Sequence, residues 1–218
     1  MRAQPLVLAK APRPGLAKTR LAATVGDDVA AELAALCLLD TITACNAVSD
    51  RCHLALAGDL TGAMLEHDLR RALAGWTVFP QVGDGLGQRI AHAHAQVAGP
   101  VVQIGMDTPQ LTTDDLEAAD AALERSPAVL GYAADGGWWL LGLQDPSRAV
   151  VLAEVPMSQP ETGARTAEAL RGAGLELAVV RRLRDVDTAG DAEIVSGLAP
   201  CTRFGRRWHE LTAGSLVR

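Results

Sequence analysis

The stretch Val101-Val102-Gln103-Ile104-Gly105-Met106-Asp107-Thr108-Pro109 decides the architecture. Apart from Gln103, its first six residues carry no polar side chain, and then an aspartate arrives. Thr108-Pro109 follows at once, and proline, which lacks an amide donor, cannot continue an interior strand. The reading is a buried parallel strand ending in a carboxylate. In open α/β sheets the ligand crevice lies outside the carboxyl ends of the strands, so Asp107 falls where chemistry occurs. An N-cap or turn aspartate would give the same local pattern. The rest of the chain has to decide.

Outward from this strand, apolar runs and helical periodicities alternate. Residues 6–9, 52–57, 76–80, 128–133 and 175–180 read as strands, and 138–143 as a strand returning from the turn Asp135-Gly136-Gly137. Helices are expected over 27–44, 60–73, 88–97, 112–123, 161–171 and 189–195, the first opened by Asp27-Asp28 and carrying Val29, Leu33, Leu36, Leu39 and Ile42. This alternation predicts an α/β fold, a three-layer arrangement with a mostly parallel sheet between helices. Residues 1–200 are expected to form a single domain, with 201–218 as a C-terminal tail packing on it.

Composition narrows the function classes. Apolar residues make up 49% and charged residues 21%, the balance of a globular protein rather than a disordered one. A net charge of −6 argues against a nucleic-acid-binding surface. The four cysteines form no C-x-x-C pair, so they read as small buried residues of a reducing compartment. No uncharged run reaches membrane-spanning length, and a cytoplasmic location is expected. Oligomeric state is not legible.

Three features supply candidate chemistry. Between Lys10 and Arg20 the chain carries Lys10, Arg13, Lys18 and Arg20 with no acidic residue, inside a Pro/Gly loop after the first strand. Such a loop can cradle phosphates, since guanidinium forks match phosphate oxygens and lysine adds a point charge; a solvated basic loop is the plainer alternative. It is not a P-loop, because G-x-x-x-x-G-K-[ST] is absent. Gln81 and the turn with Gly83, Gly85 and Gly87 can approach a nucleotide closely, or can simply be a turn needing positive φ. Asp187 ends a later strand, as Asp107 ends the central one. Magnesium takes one or two protein carboxylates plus substrate phosphates, an arrangement this pair suits. His92 and His94 lie two apart on a helix and cannot form an i,i+4 metal pair.

Four motifs in order, KAPRPGLAKTRLA, GMDTPQL, DGGWWLLGL and DVDT, resemble a bacterial family of glycosyltransferase-A-like proteins, some of which carry arsenosugar-type glycosyltransferase names. The resemblance spans roughly residues 5 to 195. It implies a nucleotide-diphospho-sugar transferase fold (GT-A type) and a divalent metal, Mg2+ or Mn2+. On the matching positions it implies that Lys10, Lys18 and Arg20 face the nucleotide phosphates and that Asp107 and Asp187 hold the metal. It places Asp135, Gly136, Gly137 and Trp138 on the acceptor side. Trp138-Trp139 stands where tyrosines usually follow the Gly-Gly pair. The KTRL segment and the late DVDT are also similar to phospholactate-type guanylyltransferases.

Two activities follow as expectations. The first is a metal-dependent glycosyltransferase moving a sugar from a nucleotide-diphospho-sugar to a small hydroxyl acceptor, with Asp135 as catalytic base if the sugar inverts. The alternative is a nucleotidyltransferase that releases pyrophosphate from an NTP, for which positioning and charge stabilisation suffice. A binding protein that keeps the fold without turnover is the third possibility, disfavoured by the retention of Asp107, Asp187 and the loop cations. Each enzyme reading takes a nucleotide-activated small-molecule donor and a small acceptor, with no nucleic-acid partner.

Overall fold

A computed structural model of the chain describes residues 1–215. Seven strands, β1 (Gln4–Lys10), β2 (His53–Ala57), β3 (Thr77–Pro80), β4 (Val101–Gly105), β5 (Ala128–Ala133), β6 (Trp138–Leu143) and β7 (Leu177–Leu183), form one sheet. Its order is β3-β2-β1-β4-β6-β5-β7, and only β6 runs against its neighbours. The predicted mostly parallel sheet is therefore observed, and β5–β6 is the hairpin expected around Asp135.

The central strands are apolar on both faces because helices cover both. One face buries Val7, Leu54, Val102, Ile104, Val129 and Leu140 against α2 (Asp27–Val48), α3 (Glu66–Ala72) and α5 (Thr113–Leu123). The other buries Leu6, Leu8, Val101, Leu130 and Leu141 against α4 (Leu86–Ala95), a 3-10 helix (Pro146–Glu154) and α6 (Thr162–Gly172). Successive strand residues thus serve opposite layers, as the pleat requires. A third cluster joins α1 (Thr19–Val25), α2, α7 (Ala189–Leu198) and α8 (Arg203–Ser215) through Leu21, Leu33, Val195, Phe204 and Trp208. Asp40 ties the start of α8 to α2 by accepting from the Arg203 and Phe204 amides at 3.1 and 3.0 Å.

Two elements escape the sequence reading and one is shortened. The helix expected over 60–73 starts only at Glu66, because Asp59 and Thr61 form a tight turn and Gly62 and Leu65 take positive φ. Helix α1 has seven residues, one fully buried leucine and no side-chain cap, so it leaves little periodic signal. The 3-10 helix is capped by Asp145, whose carboxylate accepts from Ser147 N, with Pro146 at its first position. Of the cysteines, Cys37, Cys45 and Cys52 are buried and Cys201 is exposed. Among the described residues no helix is long and apolar enough to cross a membrane.

Candidate active site

The strand order reverses at β1 and β4: from β1 the chain builds outward through β2 and β3, and beyond β4 lie β6, β5 and β7. Such a switch point opens a crevice at the carboxyl ends of the strands. Lys10 closes β1 there, and Asp107 lies two residues past β4. The loop after β7 is drawn over the same point although β7 lies at the sheet's far edge. Val186 N donates to the Asp107 carbonyl at 2.9 Å, and Gln110 Nε2 donates to the Arg184 carbonyl at 2.7 Å. These bonds bring Asp185 and Asp187 to either side of Asp107.

Lys18 is the keystone of the cluster. It sits at the N-cap of α1 with φ 52° and ψ 44°, a left-handed conformation that costs a non-glycine residue about 1–2 kcal/mol. From there its ammonium reaches Asp107 Oδ1 at 2.7 Å and Asp187 Oδ1 at 3.0 Å, with only 7% of its side chain exposed. Burial works against this charge, but the two aspartates outweigh it and hold the ammonium above the ordinary lysine range. Arg20, largely exposed, stands 3.9 Å from Asp187. Lys10, Lys18, Arg20, Asp107 and Asp187 together line a cavity of about 230 Å3.

Asp107 is shared with a second cavity of about 310 Å3, which Asp135, Gly137, Trp138, Asp185 and Gln159 also line. Its apolar walls are Leu8, Leu86, Ile90, Met106, Trp139 and Met157, and among the described residues no lysine or arginine lines it. Asp135 is exposed; one of its oxygens accepts from Gly137 N at 2.8 Å. Asp185 is the deeper carboxylate. Burial first, then the charges of Asp107 and Asp135, push it up to about 8. The sequence marks Asp185 only as half of a pair with Asp187. An extended segment would put both on one face, but here Asp185 lines the second cavity and Asp187 the first.

Gly136 and Gly137 have a packing reason of their own. Gly136 takes φ 93°, and a Cβ there would come within 1.9 Å of the Pro160 carbonyl oxygen. Gly163 N, at the start of α6, donates to the Gly136 carbonyl at 2.8 Å, locking the hairpin turn to that helix. Trp138 and Trp139 point to opposite layers. Trp138 Nε1 donates to Thr166 Oγ1 at 3.1 Å and Trp139 Nε1 to the Arg181 carbonyl at 3.0 Å. Gly131 makes room for the buried Trp139 indole, since a Cβ there would lie 2.6 Å from Nε1.

The remaining sequence candidates flank a third hollow at the ends of β1 and β2, lined by Lys10, Arg13, Asp59, Gln81 and Arg89. Gln81 Nε2 donates to the Ala9 and Ala55 carbonyls, both at 2.9 Å, and among the described residues its amide oxygen accepts from no donor. Arg13 is engaged with the loop, donating to the Asp59 and Thr61 carbonyls. Gly83 and Gly85 shape the turn rather than line the hollow: Gly83 has φ 137°, and Gly85 is the N-cap of α4. Arg89, which the sequence does not single out, holds this turn by donating to the Gly83 carbonyl at 3.0 Å. His94 is fully buried, paired with Gln103 at 2.8 Å.

Among the described residues no group of three or more His, Cys, Asp or Glu side chains is arranged to hold a metal by itself. The donor set nonetheless fits a hard divalent cation that draws its remaining ligands from water and phosphate. Oxygens of Asp107 and Asp187 already converge on one positive atom, Lys18 Nζ, at 2.7 and 3.0 Å.

Known structures share this fold. A protein of Desulfovibrio desulfuricans G20, carrying the provisional name of nucleotide-diphospho-sugar transferase, is 26% identical over 97% of this chain and 96% of its own, with a TM-score of 0.86. A cytidylyltransferase of Leptospira borgpetersenii matches at 12% identity over 98% of this chain and 93% of its own, with a TM-score of 0.60. Rv0371c of Mycobacterium tuberculosis H37Rv, solved in complex with manganese, matches at 17% identity over 89% and 98% with a TM-score of 0.54. Comparison with curated protein sequences finds no match. Residues 38–159, more than half of the chain, match the family described as "Uncharacterized protein conserved in bacteria (DUF2064)", and the chain belongs to that family.

Proposed function

We propose that this protein is a metal-dependent glycosyltransferase, moving a sugar from a nucleotide-diphospho-sugar to a small hydroxyl acceptor. One observation carries the reading: the two cavities that meet at Asp107 divide the charge. The first gathers Lys10, Lys18 and Arg20, cations suited to a diphosphate. The second offers apolar and tryptophan surface with carboxylates and no cation, surroundings for an uncharged hydroxyl compound rather than a phosphate or carboxylate.

In this reading Asp107 and Asp187 hold the divalent metal, Mg2+ or Mn2+, which when bound neutralises charge on the departing diphosphate. Lys10 and Arg20 bind the phosphates, Gln81 and the hollow beside Arg13 receive the nucleoside, and Gly83 and Gly85 keep the adjacent turn tight. Asp135 takes the acceptor proton with its free oxygen, its other oxygen being fixed by Gly137 N. Gly136, Gly137 and Trp138 bound the acceptor. Asp185, beside Asp107 and Asp135, sits where it can hold a proton at the donor–acceptor junction.

Nucleotidyl transfer of the guanylyltransferase kind is the second reading, favoured by the cation cluster around Lys18. A mass-spectrometric product assay with Mg2+ or Mn2+ and separate panels of NDP-sugars and NTPs, with acceptors from a small-molecule extract, separates them. Free NDP from one NDP-sugar is expected; pyrophosphate from one NTP would overturn the proposal.

A further inference from the structure

The chain is sparing with lysine. Of its twenty Lys and Arg residues only Lys10 and Lys18 are lysines, and both line the cavity at Asp107. A guanidinium is a planar fork, whereas an ammonium is a compact point charge that fits the space an ion would take between two carboxylates. Lys18 uses this property: its Nζ lies 2.7 and 3.0 Å from single oxygens of Asp107 and Asp187. Its backbone is held in the left-handed region to bring it there. The ammonium and a divalent cation cannot share those two oxygens at such distances.

We propose that Lys18 is a displaceable internal counter-ion. It holds Asp107 and Asp187 together in the free protein, competes with the divalent metal for them, and yields when a diphosphate offers its ammonium a new partner. Metal and donor then bind cooperatively, and the metal alone binds weakly. Lys18 is in this sense a positioning residue whose role precedes chemistry. The inference rests on the reading of Asp107 and Asp187 as the metal pair.

The test is direct Mn2+ binding, followed by electron paramagnetic resonance, for the wild-type chain and for Lys18→Met, Lys18→Gln and Asp107→Asn. Both Lys18 variants should bind Mn2+ alone about tenfold more tightly than wild type, the scale of an ordinary coupling between two ligands. Inorganic pyrophosphate should raise Mn2+ affinity more in wild type than in either variant. Unchanged or weaker Mn2+ binding in the Lys18 variants, with Asp107→Asn still abolishing it, overturns the inference and leaves the metal reading intact. Equal Mn2+ affinity in wild type and Asp107→Asn overturns both. Should the Lys18 variants fail to fold, the wild type answers alone. With only two lysines, the ε-carbon signal of Lys18 in 13C-lysine-labelled protein should shift on saturation with Mg2+ and pyrophosphate, and an unmoved signal refutes displacement.

Discussion

Lowering the pH from 7 to 4 should destabilise this protein by an amount partly traceable to one side chain, His94. Its ring is fully buried on α4, and its Nε2 meets Gln103 Oε1 of β4 at 2.8 Å. Burial pushes its pKa down from 6.5 to about 4, only partly opposed by the bond to Gln103. Below pH 6.5 the unfolded chain therefore takes up a proton that the folded chain refuses until about pH 4. More protons on the unfolded state means that stability falls as pH falls, by about 1.4 kcal/mol per pH unit across this window. The loss approaches ~3 kcal/mol and then levels off below pH 4. Carboxylates titrate in the same range, so the measurement is a difference. Urea unfolding of wild type and His94→Leu is followed at half-unit steps from pH 7.5 to 3.5. The variant carries a pH-independent penalty of roughly 1–3 kcal/mol for leaving Gln103 unpaired, but it should lack the His94 slope. Parallel stability curves for the two proteins between pH 6.5 and 4 would refute the argument, since His94 would then titrate alike in both states.

The site yields three further predictions. Asp107→Asn should weaken metal-dependent nucleotide binding about 100-fold or more, measured by calorimetry. It should also cost about 1–3 kcal/mol in thermal unfolding, because the buried Lys18 ammonium loses one of its two carboxylates and keeps Asp187. Asp135→Asn should lower turnover about 100-fold or more with donor affinity nearly unchanged; loss of donor affinity instead reassigns Asp135 to binding. Gly136→Ala places a side chain at φ 93° against the Pro160 carbonyl and should destabilise the fold by roughly 2–4 kcal/mol in chemical denaturation.

The layers of the fold are legible in the sequence because both periodicities are strong where the core is deep. Apart from Gln103 and Tyr132, Val101–Gly105 and Ala128–Ala133 are apolar on both faces, and helices do cover both. What escapes has little periodic signal to give. Helix α1 buries a single leucine fully. The 3-10 helix opens on Asp145-Pro146-Ser147, a cap followed by proline, but its nine residues at a tighter pitch break the 3.6 period and it goes unread in the sequence. Residue types at the site are legible and their partners are not. Nothing local tells that Lys18 turns inward to two aspartates while Arg20, two residues on, stays in solvent. Likewise, the pair Asp135–Gly136 reads as a turn, but the pressure on Gly136 comes from Pro160, which lies beyond β6 and the 3-10 helix.

The long-range step that creates the site is the return of the chain after β7. Leaving the sheet's edge, residues 184–187 would carry their carboxylates away from the crevice unless something drew them back across β5 and β6. Gln110 and Asp107 do this by backbone and amide bonds to Arg184 and Val186. The capping box at the start of α7, where Asp191 accepts from Thr188 N and also meets Arg184, fixes where the segment must end. The side chain of Val186 is buried in the cluster formed by α1, α2, α7 and α8, while its neighbours Asp185 and Asp187 line different cavities that meet at Asp107. A single buried valine lies between a carboxylate of the cation-lined cavity and one of the cavity with no lysine or arginine among its described lining residues, and anchors both. Replacing Val186 with threonine, close in shape but needing a hydrogen-bond partner, should disturb Asp185 and Asp187 together. Calorimetry should then show weakened Mn2+-dependent nucleotide binding although no metal-side carboxylate has changed. Binding equal to wild type would mean that the hydrogen bonds from Val186 N to the Asp107 carbonyl and from Gln110 to the Arg184 carbonyl, and not the buried valine, set the path of the loop.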